Sequence, residues 1–488
     1  MNLPVGRQAQ SYNRRTMKKF FLASGFSMLL TGISAQTVMQ RLQKAFRQFE
    51  SDSQLKHAIS SLYIIDAKTG QVVFDKNSQV GLAPASTQKI ITAATAFELL
   101  GKEYRYKTEF GYQGSITGRK LNGRIYALGS GDPTLGSWRY ESTKEEGVIK
   151  RIIDAIQNLK IDTTEYLMFV EDRKFEVNNI PDGWIWQDIG NYYGAGAAAL
   201  NWRENQYDIV LKSGKNIGDD VEIKGIKPYF YKEYEIESKL SAAAKGSGDN
   251  AYIYFPLGNM SSVINGTIPF GEDRFTISGA IPNPAFEFQS RMIDTVRKAG
   301  IAIIFDKHPM FNIADDFPTV YTDKGKVFHT EYSPPLDSII YWFLKKSVNL
   351  YGEALIKTFA YEKQAIGSTD SGIAIVKKFW MTKGLDEDEL NIYDGSGLSP
   401  LNRITTHAQV EVLKYAKTKD WFKYFYDALP EYNGMKMKSG TISDVKGFCG
   451  YHKAKDGKEY IFSFLVNNYS EKTSGVVNKM YKVLDELK

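Results

Sequence analysis

The sequence has very little cysteine, because Cys449 is the single cysteine among 488 residues. One cysteine excludes an internal disulfide and any zinc site built from several thiolates. Histidine is also scarce, and no two of the five histidines share a metal-ligand spacing; they are His57, His308, His329, His407 and His452. The sequence therefore predicts no metal site, and it disfavours enzymes whose chemistry depends on zinc or on a histidine triad.

The chain also lacks a strong excess of charge of either sign. It contains 62 Lys and Arg against 56 Asp and Glu, which gives a formal net charge of +6. Five of the basic residues lie in the first 35 positions, which hold no acidic residue, and the rest of the chain has an excess of one basic residue. A body this close to neutral offers no electrostatic basis for binding nucleic acid.

No stretch of the sequence approaches the roughly 18 consecutive apolar residues that a membrane-spanning helix needs. Residues 1–35 instead have the pattern of a secretory signal peptide, with Met17 as the candidate true start. Lys18 and Lys19 precede a short apolar run, and the small residue Ala35 ends the segment. An uncleaved N-terminal anchor is the alternative. We expect an exported mature chain without a transmembrane segment, and the scarcity of cysteine favours the periplasm or envelope of a bacterium.

Both ends of the chain show antiparallel strand patterns, with helical patterns between them. A hairpin is predicted over residues 60–76, and further strands are predicted between about 435 and 466. The region over 106–285 instead alternates short β-like runs with Gly, Asn and Asp, which predicts β-rich inserted domains. We therefore expect an α/β (α+β) domain with an antiparallel sheet flanked by helices, formed by residues 36–105 and 286–488 around that insertion.

A candidate nucleophile, Ser86, lies at the predicted start of a helix over about residues 86–101. Lys89 follows three residues later on the same helix face and is the candidate base for this serine. Backbone N–H groups at a helix start point outward, where they can stabilise a developing oxyanion. A Ser-x-x-Lys pair is common by chance, and the alternative is that Ser86 is an ordinary helix cap.

Two further motifs make this pair more specific. Ser347-Val348-Asn349 lies between two helical patterns, and Lys438-Ser439-Gly440-Thr441 lies in a predicted strand. Each of these motifs alone indicates no more than an exposed loop or a solvated lysine. In the order Ser-x-x-Lys, Ser-x-Asn and Lys-Ser/Thr-Gly, the three form the signature of the penicillin-interacting serine enzymes. The separation of 261 residues between Ser86 and Ser347 is longer than a compact β-lactamase needs.

With that long separation, the sequence resembles the class C penicillin-binding proteins, the D-alanyl-D-alanine carboxypeptidase/endopeptidase family. Further stretches match the family: Ser333-Pro334-Pro335-Leu336, Asp394-Gly395-Ser396-Gly397-Leu398-Ser399, Gly131-Asp132-Pro133, Trp184-x-Trp186-x-Asp188, Tyr193-Gly194-Ala195 and Ala199-Leu200-Asn201. The resemblance covers nearly all of the chain after the leader. It implies a serine β-lactamase/transpeptidase-like domain whose inserted domains lie between the first and second motifs.

The resemblance implies a serine peptidase that forms an acyl-enzyme and needs no metal or organic cofactor. Ser86 attacks the carbonyl between two D-alanines, Lys89 accepts its proton, and Ser347 relays a proton to the leaving amine. A neutral Lys89 requires a lowered pKa, which we expect from burial and from the nearby charge of Lys438.

The same resemblance implies which groups bind the substrate, a peptidoglycan stem peptide that ends in D-Ala-D-Ala. Asn349 holds the substrate amide, and the strand Lys438-Ser439-Gly440-Thr441 holds the terminal carboxylate, through Lys438 and Ser439. The backbone N–H groups of Ser86 and Thr441 form the oxyanion hole. β-Lactam antibiotics are expected to bind as covalent inhibitors.

Asp188 and Tyr193 are candidates for substrate specificity. The third residue of the stem peptide carries a free amine in many bacteria, and a carboxylate beside an aromatic ring suits that group. The alternative is that Asp188 caps a turn and that Tyr193 packs in the core. Two positions depart from the family: Ser439 stands where Thr is common and keeps the hydroxyl, and Pro400 stands where Arg is frequent and removes one expected substrate contact.

Two other functions are compatible with this fold class. One is a β-lactamase or esterase, against which the long insertion and the Gly-Ser-Gly-Leu-Ser stretch argue. The other is a catalytically silent scaffold that binds the cell wall, against which the three intact motifs argue. The carboxypeptidase, with or without endopeptidase activity on crosslinks, is therefore the function that we expect.

Overall fold

The structure is a computed structural model that describes residues 37–171, 174–228, 235–255, 261–304 and 325–488. The predicted signal peptide of residues 1–35 lies outside the described residues. Within them, no helix combines the length and the apolar character needed to cross a membrane.

Strands and helices alternate in blocks along the described chain. The strands are β1 Ile59–Asp66, β2 Val72–Lys76, β3 Lys107–Thr117, β4 Lys120–Leu128, β5 Thr163–Glu171, β6 Gln206–Ser213, β7 Val221–Lys227, β8 Glu235–Ala243, β9 Asn250–Tyr254, β10 Ser261–Pro269, β11 Phe275–Ala280, β12 Ala302–Ile303, β13 Lys326–Tyr332, β14 Leu390–Asn391, β15 Arg403–Ile404, β16 Glu431–Tyr432, β17 Met435–Ile442, β18 Val445–Lys453 and β19 Glu459–Asn467. The α-helices are α1 Val38–Glu50, α2 Lys89–Leu100, α3 Glu145–Asn158, α4 Trp186–Ile189, α5 Pro284–Lys298, α6 Leu336–Lys345, α7 Asn349–Gln364, α8 Thr369–Met381, α9 Thr406–Lys417, α10 Phe422–Ala428 and α11 Thr473–Leu484.

A six-stranded sheet joins the two ends of the chain. Its strands are hydrogen-bonded in the order β16-β17-β18-β19-β1-β2, and all neighbours are antiparallel. β1 pairs with β19 along its whole length, from Ile59 opposite Asn467 to Asp66 opposite Tyr460. The predicted antiparallel sheet, built from the N-terminal hairpin and the C-terminal strands, is therefore confirmed.

Helices cover both faces of this sheet. Successive residues of β1 point to opposite faces, as strand geometry requires. Leu62 and Ile64 lie in the core shared with α1 and α11, whereas Tyr63 and Ile65 lie in the core shared with α2 and α6 to α10. Because both faces are buried, β1 is a nearly continuous buried run rather than an alternating one. On the face of Tyr63 and Ile65, the turn that leads into α2 packs against β17, and α2 packs against α7.

Between α2 and α6, the described residues form a β-rich region. A five-stranded sheet has the order β12-β5-β4-β3-β13, and its core includes α3 and α5. Two three-stranded sheets, β11-β6-β7 and β8-β10-β9, share a second apolar core. The fold is thus a helix-flanked antiparallel sheet with inserted β-rich parts, as the sequence predicts.

The C-terminal boundary of the insertion is predicted from the sequence at residue 285. α5 begins at Pro284 and runs past that residue, and β12 and β13 follow it, yet all three belong to the five-stranded sheet or its core. Phe288 and Met292 of α5 are fully buried in that core. We propose that the insertion extends to Tyr332, because the helical periodicity that suggested a return to the first domain belongs to α5 instead.

Candidate active site

Ser86 lies in a short 3₁₀ turn, Ala85–Gln88, that leads directly into α2. Ala85 has a positive φ of 47°, a conformation that is uncommon for a residue with a side chain. β17 passes against this turn so closely that a Cβ atom at Gly440 would lie 2.8 Å from the Ser86 nitrogen. Glycine at position 440 therefore lets the third motif approach the candidate nucleophile.

Lys89 is fully buried, and its Nζ donates three hydrogen bonds. The acceptors are Ser86 Oγ at 2.9 Å, Asn349 Oδ1 at 2.7 Å and the carbonyl oxygen of Ser396 at 2.7 Å. The first and second motifs are therefore in direct contact through this one amine. An amine within hydrogen-bond distance of a serine hydroxyl has the geometry of a general base.

Burial lowers the pKa of Lys89 to about 7, although the carboxylates of Asp394 and Glu353 raise it. The pKa of Lys438 is also lowered well below its ordinary value, first by burial and then by repulsion from Lys89. Of the two causes expected from the sequence, burial and the charge of Lys438, burial is the one that lowers the pKa of Lys89. A lysine with this pKa is partly neutral at neutral pH, as a base must be.

The loop Asp394–Ser399 lies beneath Lys89. The side chain of Asp394 stabilises this loop through hydrogen bonds to its backbone. The Asp394 carboxylate accepts hydrogen bonds from the backbone N–H groups of Gly397 at 2.7 Å and Ser399 at 2.6 Å. It also accepts one from Nε1 of Trp184 at 2.9 Å. Because Trp184 belongs to the insertion, this buried carboxylate joins the insertion to the floor of the site.

Ser347 and Lys438 bring the second and third motifs together. Lys438 is 2% exposed, and its Nζ donates to Ser347 Oγ at 3.0 Å and to the carbonyl oxygen of Ser439 at 2.7 Å. Ser347, two residues before the first residue of α7, has a positive φ of 58°, a conformation that costs energy and is often found at functional sites. Its hydroxyl is thus held next to a buried amine.

Asn349 connects the three motifs to the insertion. Its Oδ1 accepts the hydrogen bond from Lys89, and its Nδ2 donates to the carbonyl oxygen of Tyr193 at 2.7 Å. An amide nitrogen carries a second hydrogen, which is the donor that the predicted bond to a substrate carbonyl requires.

Asp188 and Tyr193 lie together at the edge of the same site. The Tyr193 hydroxyl donates to Asp188 Oδ1 at a long 3.4 Å. Burial raises the pKa of Asp188, while the hydrogen bond from Tyr193 opposes that shift. Asp188 is half-buried in the short helix α4, so the carboxylate stays within reach of a ligand.

Ser439 and Thr441 share a partner that the sequence analysis missed. Lys446, on the neighbouring strand β18, donates from Nζ to Ser439 Oγ at 2.8 Å and to Thr441 Oγ1 at 2.8 Å. It lies directly opposite Thr441 in the antiparallel register. No motif marks this lysine, and only the pairing of the two strands brings it to the third motif.

A cavity of about 400 Å³ lies where these motifs meet. Its walls include six of the predicted site residues: Ser86, Ser347, Asn349, Thr441, Asp188 and Tyr193. They also include residues that no motif singled out, among them Arg139, Glu204, Gln206 and Tyr252. The remaining predicted residues support this cavity through the contacts given above. Among the described residues, no group of three His, Cys, Asp or Glu side chains is arranged to hold a metal ion.

The chain matches one family over most of its length. A family model described as "D-Ala-D-Ala carboxypeptidase 3 (S13) family" matches residues 42–431. A D-alanyl-D-alanine carboxypeptidase from an Actinomadura species is 24% identical over 447 residues, which cover 86% of this chain and 79% of that protein. The D-alanyl-D-alanine carboxypeptidase DacB of Haemophilus influenzae is 23% identical over 428 residues, which cover 82% of this chain and 83% of that protein.

The fold also matches a solved structure. The crystal structure of penicillin binding protein 4 from Haemophilus influenzae superposes with a TM-score of 0.73 at 19% identity. The match covers 91% of this chain and 98% of that one. At this identity the superposition shows the fold alone.

Proposed function

The chain belongs to the D-Ala-D-Ala carboxypeptidase 3 family, whose members are penicillin-interacting serine peptidases, and from this we propose a specific reaction and set of roles. The enzyme removes the terminal D-alanine from peptidoglycan stem peptides through an acyl-enzyme on Ser86. The observation that carries the proposal is the 2.9 Å contact between the buried Lys89 amine and Ser86 Oγ.

Acylation follows from this contact. Ser86 Oγ attacks the carbonyl carbon between the two D-alanines, and its proton passes to the neutral amine of Lys89. The developing oxyanion accepts hydrogen bonds from the backbone N–H groups of Ser86 and Thr441, which lie on the two segments that meet at Gly440. Fixed donors of this kind stabilise charge in the transition state without reorganising.

Departure of the leaving amine needs a proton on its nitrogen. Ser347 Oγ can donate that proton and recover one from Lys438, whose Nζ lies 3.0 Å away. The C–N bond breaks and D-alanine leaves, and the proton that Lys89 took from Ser86 replaces the one given up by Ser347 and Lys438, so that Lys89 is neutral again. Water then attacks the acyl-enzyme, Lys89 takes the proton from the water, and it returns this proton to Ser86 Oγ as the ester bond breaks. The last step restores Ser86, so that no cofactor is consumed.

The cavity also accounts for substrate recognition. The hydroxyls of Ser439 and Thr441 suit a terminal carboxylate, and Asn349 suits the preceding amide. At the other edge, Asp188 suits the ammonium on the third residue of the stem peptide, with the Tyr193 ring beside it. β-Lactams carry a reactive carbonyl and a carboxylate in a similar arrangement, so they should acylate Ser86 as well.

We further propose that the protein acts in the periplasm or envelope of a bacterium. The leader pattern of residues 1–35 supports export. The relatives with carboxypeptidase names, whose substrate lies in the cell wall, support the same location.

The test is Ser86→Ala, assayed for release of D-alanine and for labelling by a fluorescent penicillin. Both activities should be abolished, because no other described side chain is placed to form the acyl-enzyme. Labelling that persists in the variant would place the nucleophile elsewhere. With the unmodified protein, rapid turnover of the label would indicate a β-lactamase, and absence of labelling would indicate a silent scaffold. Crosslinked wall fragments as substrates would show whether endopeptidase activity accompanies the carboxypeptidase.

A further inference from the structure

Lys446 is a buried cation beside the active site. Its residue is 7% exposed, and its Nζ lies over the ring of Phe448, 4.7 Å from the centroid. Its hydrogen bonds go to the hydroxyls of Ser439 and Thr441. Among the residues that the structure describes, no carboxylate forms an ion pair with it. Burying an ammonium group without a counter-ion costs free energy. An anion that binds beside the group offsets part of this cost, so the site favours an anionic ligand.

The two hydrogen bonds also fix the direction in which the hydroxyls can donate. An ammonium group has donors and no acceptor, so Ser439 Oγ and Thr441 Oγ1 must both accept from Lys446. Each hydroxyl then keeps its own hydrogen for another partner. Thr441 lines the cavity that contains Ser86. The hydroxyls of Ser439 and Thr441 can therefore both donate to a ligand, and the positive charge of Lys446 strengthens these hydrogen bonds.

Lys438 is placed for a different task. Its Nζ is engaged by Ser347 Oγ and by the carbonyl oxygen of Ser439, on the side of the site where the leaving amine departs. Lys446 instead contacts both hydroxyls of the third motif. The two buried lysines thus face different parts of the substrate.

We propose that Lys446 is a positioning residue of a carboxylate subsite, which makes the enzyme select substrates with a free carboxylate on the leaving group. The inference rests on the proposed function and adds a division of labour: Lys438 serves proton transfer, and Lys446 polarises the hydroxyls of Ser439 and Thr441 for the carboxylate. Burial lowers the pKa of Lys446 to about 8, so the amine is still mainly protonated at neutral pH.

The experiment compares two thioester substrates that differ in one group. Both carry an acylated D-alanine; one has mercaptoacetate as leaving group, and the other has its methyl ester, which lacks the carboxylate. Lys446→Met should reduce kcat/KM for the carboxylate substrate by roughly 10- to 100-fold, as expected for a lost charged hydrogen-bond partner. It should change kcat/KM for the methyl ester by no more than about threefold. The ratio of the two values is insensitive to the fraction of folded protein.

Two further variants sharpen the result. Lys446→Arg retains the charge and should recover most of the preference for the carboxylate. Lys436→Met removes a lysine elsewhere on β17, beside Tyr426, and should leave the ratio unchanged. Equal losses on both substrates in Lys446→Met would overturn the inference, because they would show a structural role. If the unmodified protein cleaved neither substrate and took no penicillin label, the proposed function would fall, and the inference with it.

Discussion

The two walls of the active-site cavity differ in how firmly their side chains are held. The wall from the six-stranded sheet domain is supported from behind by Lys89, which is fully buried and makes hydrogen bonds of 2.7–2.9 Å. The wall from the insertion contains Asp188, which is half-buried and has one long hydrogen bond of 3.4 Å from Tyr193. Bond-making chemistry tolerates little misplacement of the reacting groups, whereas a flexible ammonium group can adjust to its partner. The first wall, which we call the rigid wall, therefore suits catalysis. The second, which we call the adaptable wall, suits recognition of the substrate.

The largest expected effect is on the rigid wall, at Lys89. Lys89→Met retains the apolar stem but removes the base, so acylation by penicillin should slow by about 1000-fold. In the unmodified protein, the acylation rate should rise as the pH increases through about 7, because burial lowers the pKa of Lys89 to that value and the neutral amine is the reactive form. The measurement is the second-order rate constant of labelling between pH 5.5 and 8.5. A flat profile would show that Lys89 is not the base.

Lys357 offers a matched control for that variant. It is likewise a fully buried lysine, but its Nζ donates hydrogen bonds to the backbone carbonyl oxygens of Asn178 and Ala197 and not to Ser86. Lys357→Met should lower the melting temperature and leave the labelling rate per folded molecule within about threefold. If Lys89→Met and Lys357→Met slowed labelling equally, the slower labelling would result from the loss of any buried lysine and not from the loss of the base.

This contrast also explains what could be predicted from the sequence. The rigid wall is marked by short motifs, since Ser86 and Lys89 must share one turn and Ser347 and Asn349 must flank one helix start. Lys446 is hydrogen-bonded to the third motif, but it reaches that motif through the pairing of β18 with β17. No spacing rule reveals a cross-strand partner before the register is known. The C-terminal end of the insertion is hard to predict for a similar reason, because β13 pairs with β3 across more than 200 residues of sequence.

The intermediate effect is expected on the adaptable wall, at Asp188. Asp188→Asn removes the charge with little change of shape, so cleavage of a stem peptide with a free side-chain amine should fall by roughly 10- to 100-fold. Cleavage of the same peptide with that amine acetylated should change little. Remote binding also positions the scissile carbonyl, so kcat should fall together with a rise in KM. Equal losses on both peptides would show that Asp188 is structural and would remove the distinction between the two walls.

The smallest effect is expected from Ser439→Thr, which tests whether the rigid wall accepts a slightly larger side chain. Ser439→Thr keeps the hydroxyl that accepts from Lys446 and adds one methyl group. Ser439 is half-buried rather than fully buried, and we expect kcat/KM to change by no more than about threefold. Ser439→Ala is the matched control, because it removes the hydroxyl and should reduce kcat/KM for substrates with a free carboxylate. A loss above about tenfold in Ser439→Thr, which corresponds to roughly 1.4 kcal/mol, would mean that the rigid wall is packed around serine itself. In that case the position of the hydroxyl, and not its presence alone, would limit how the carboxylate is held.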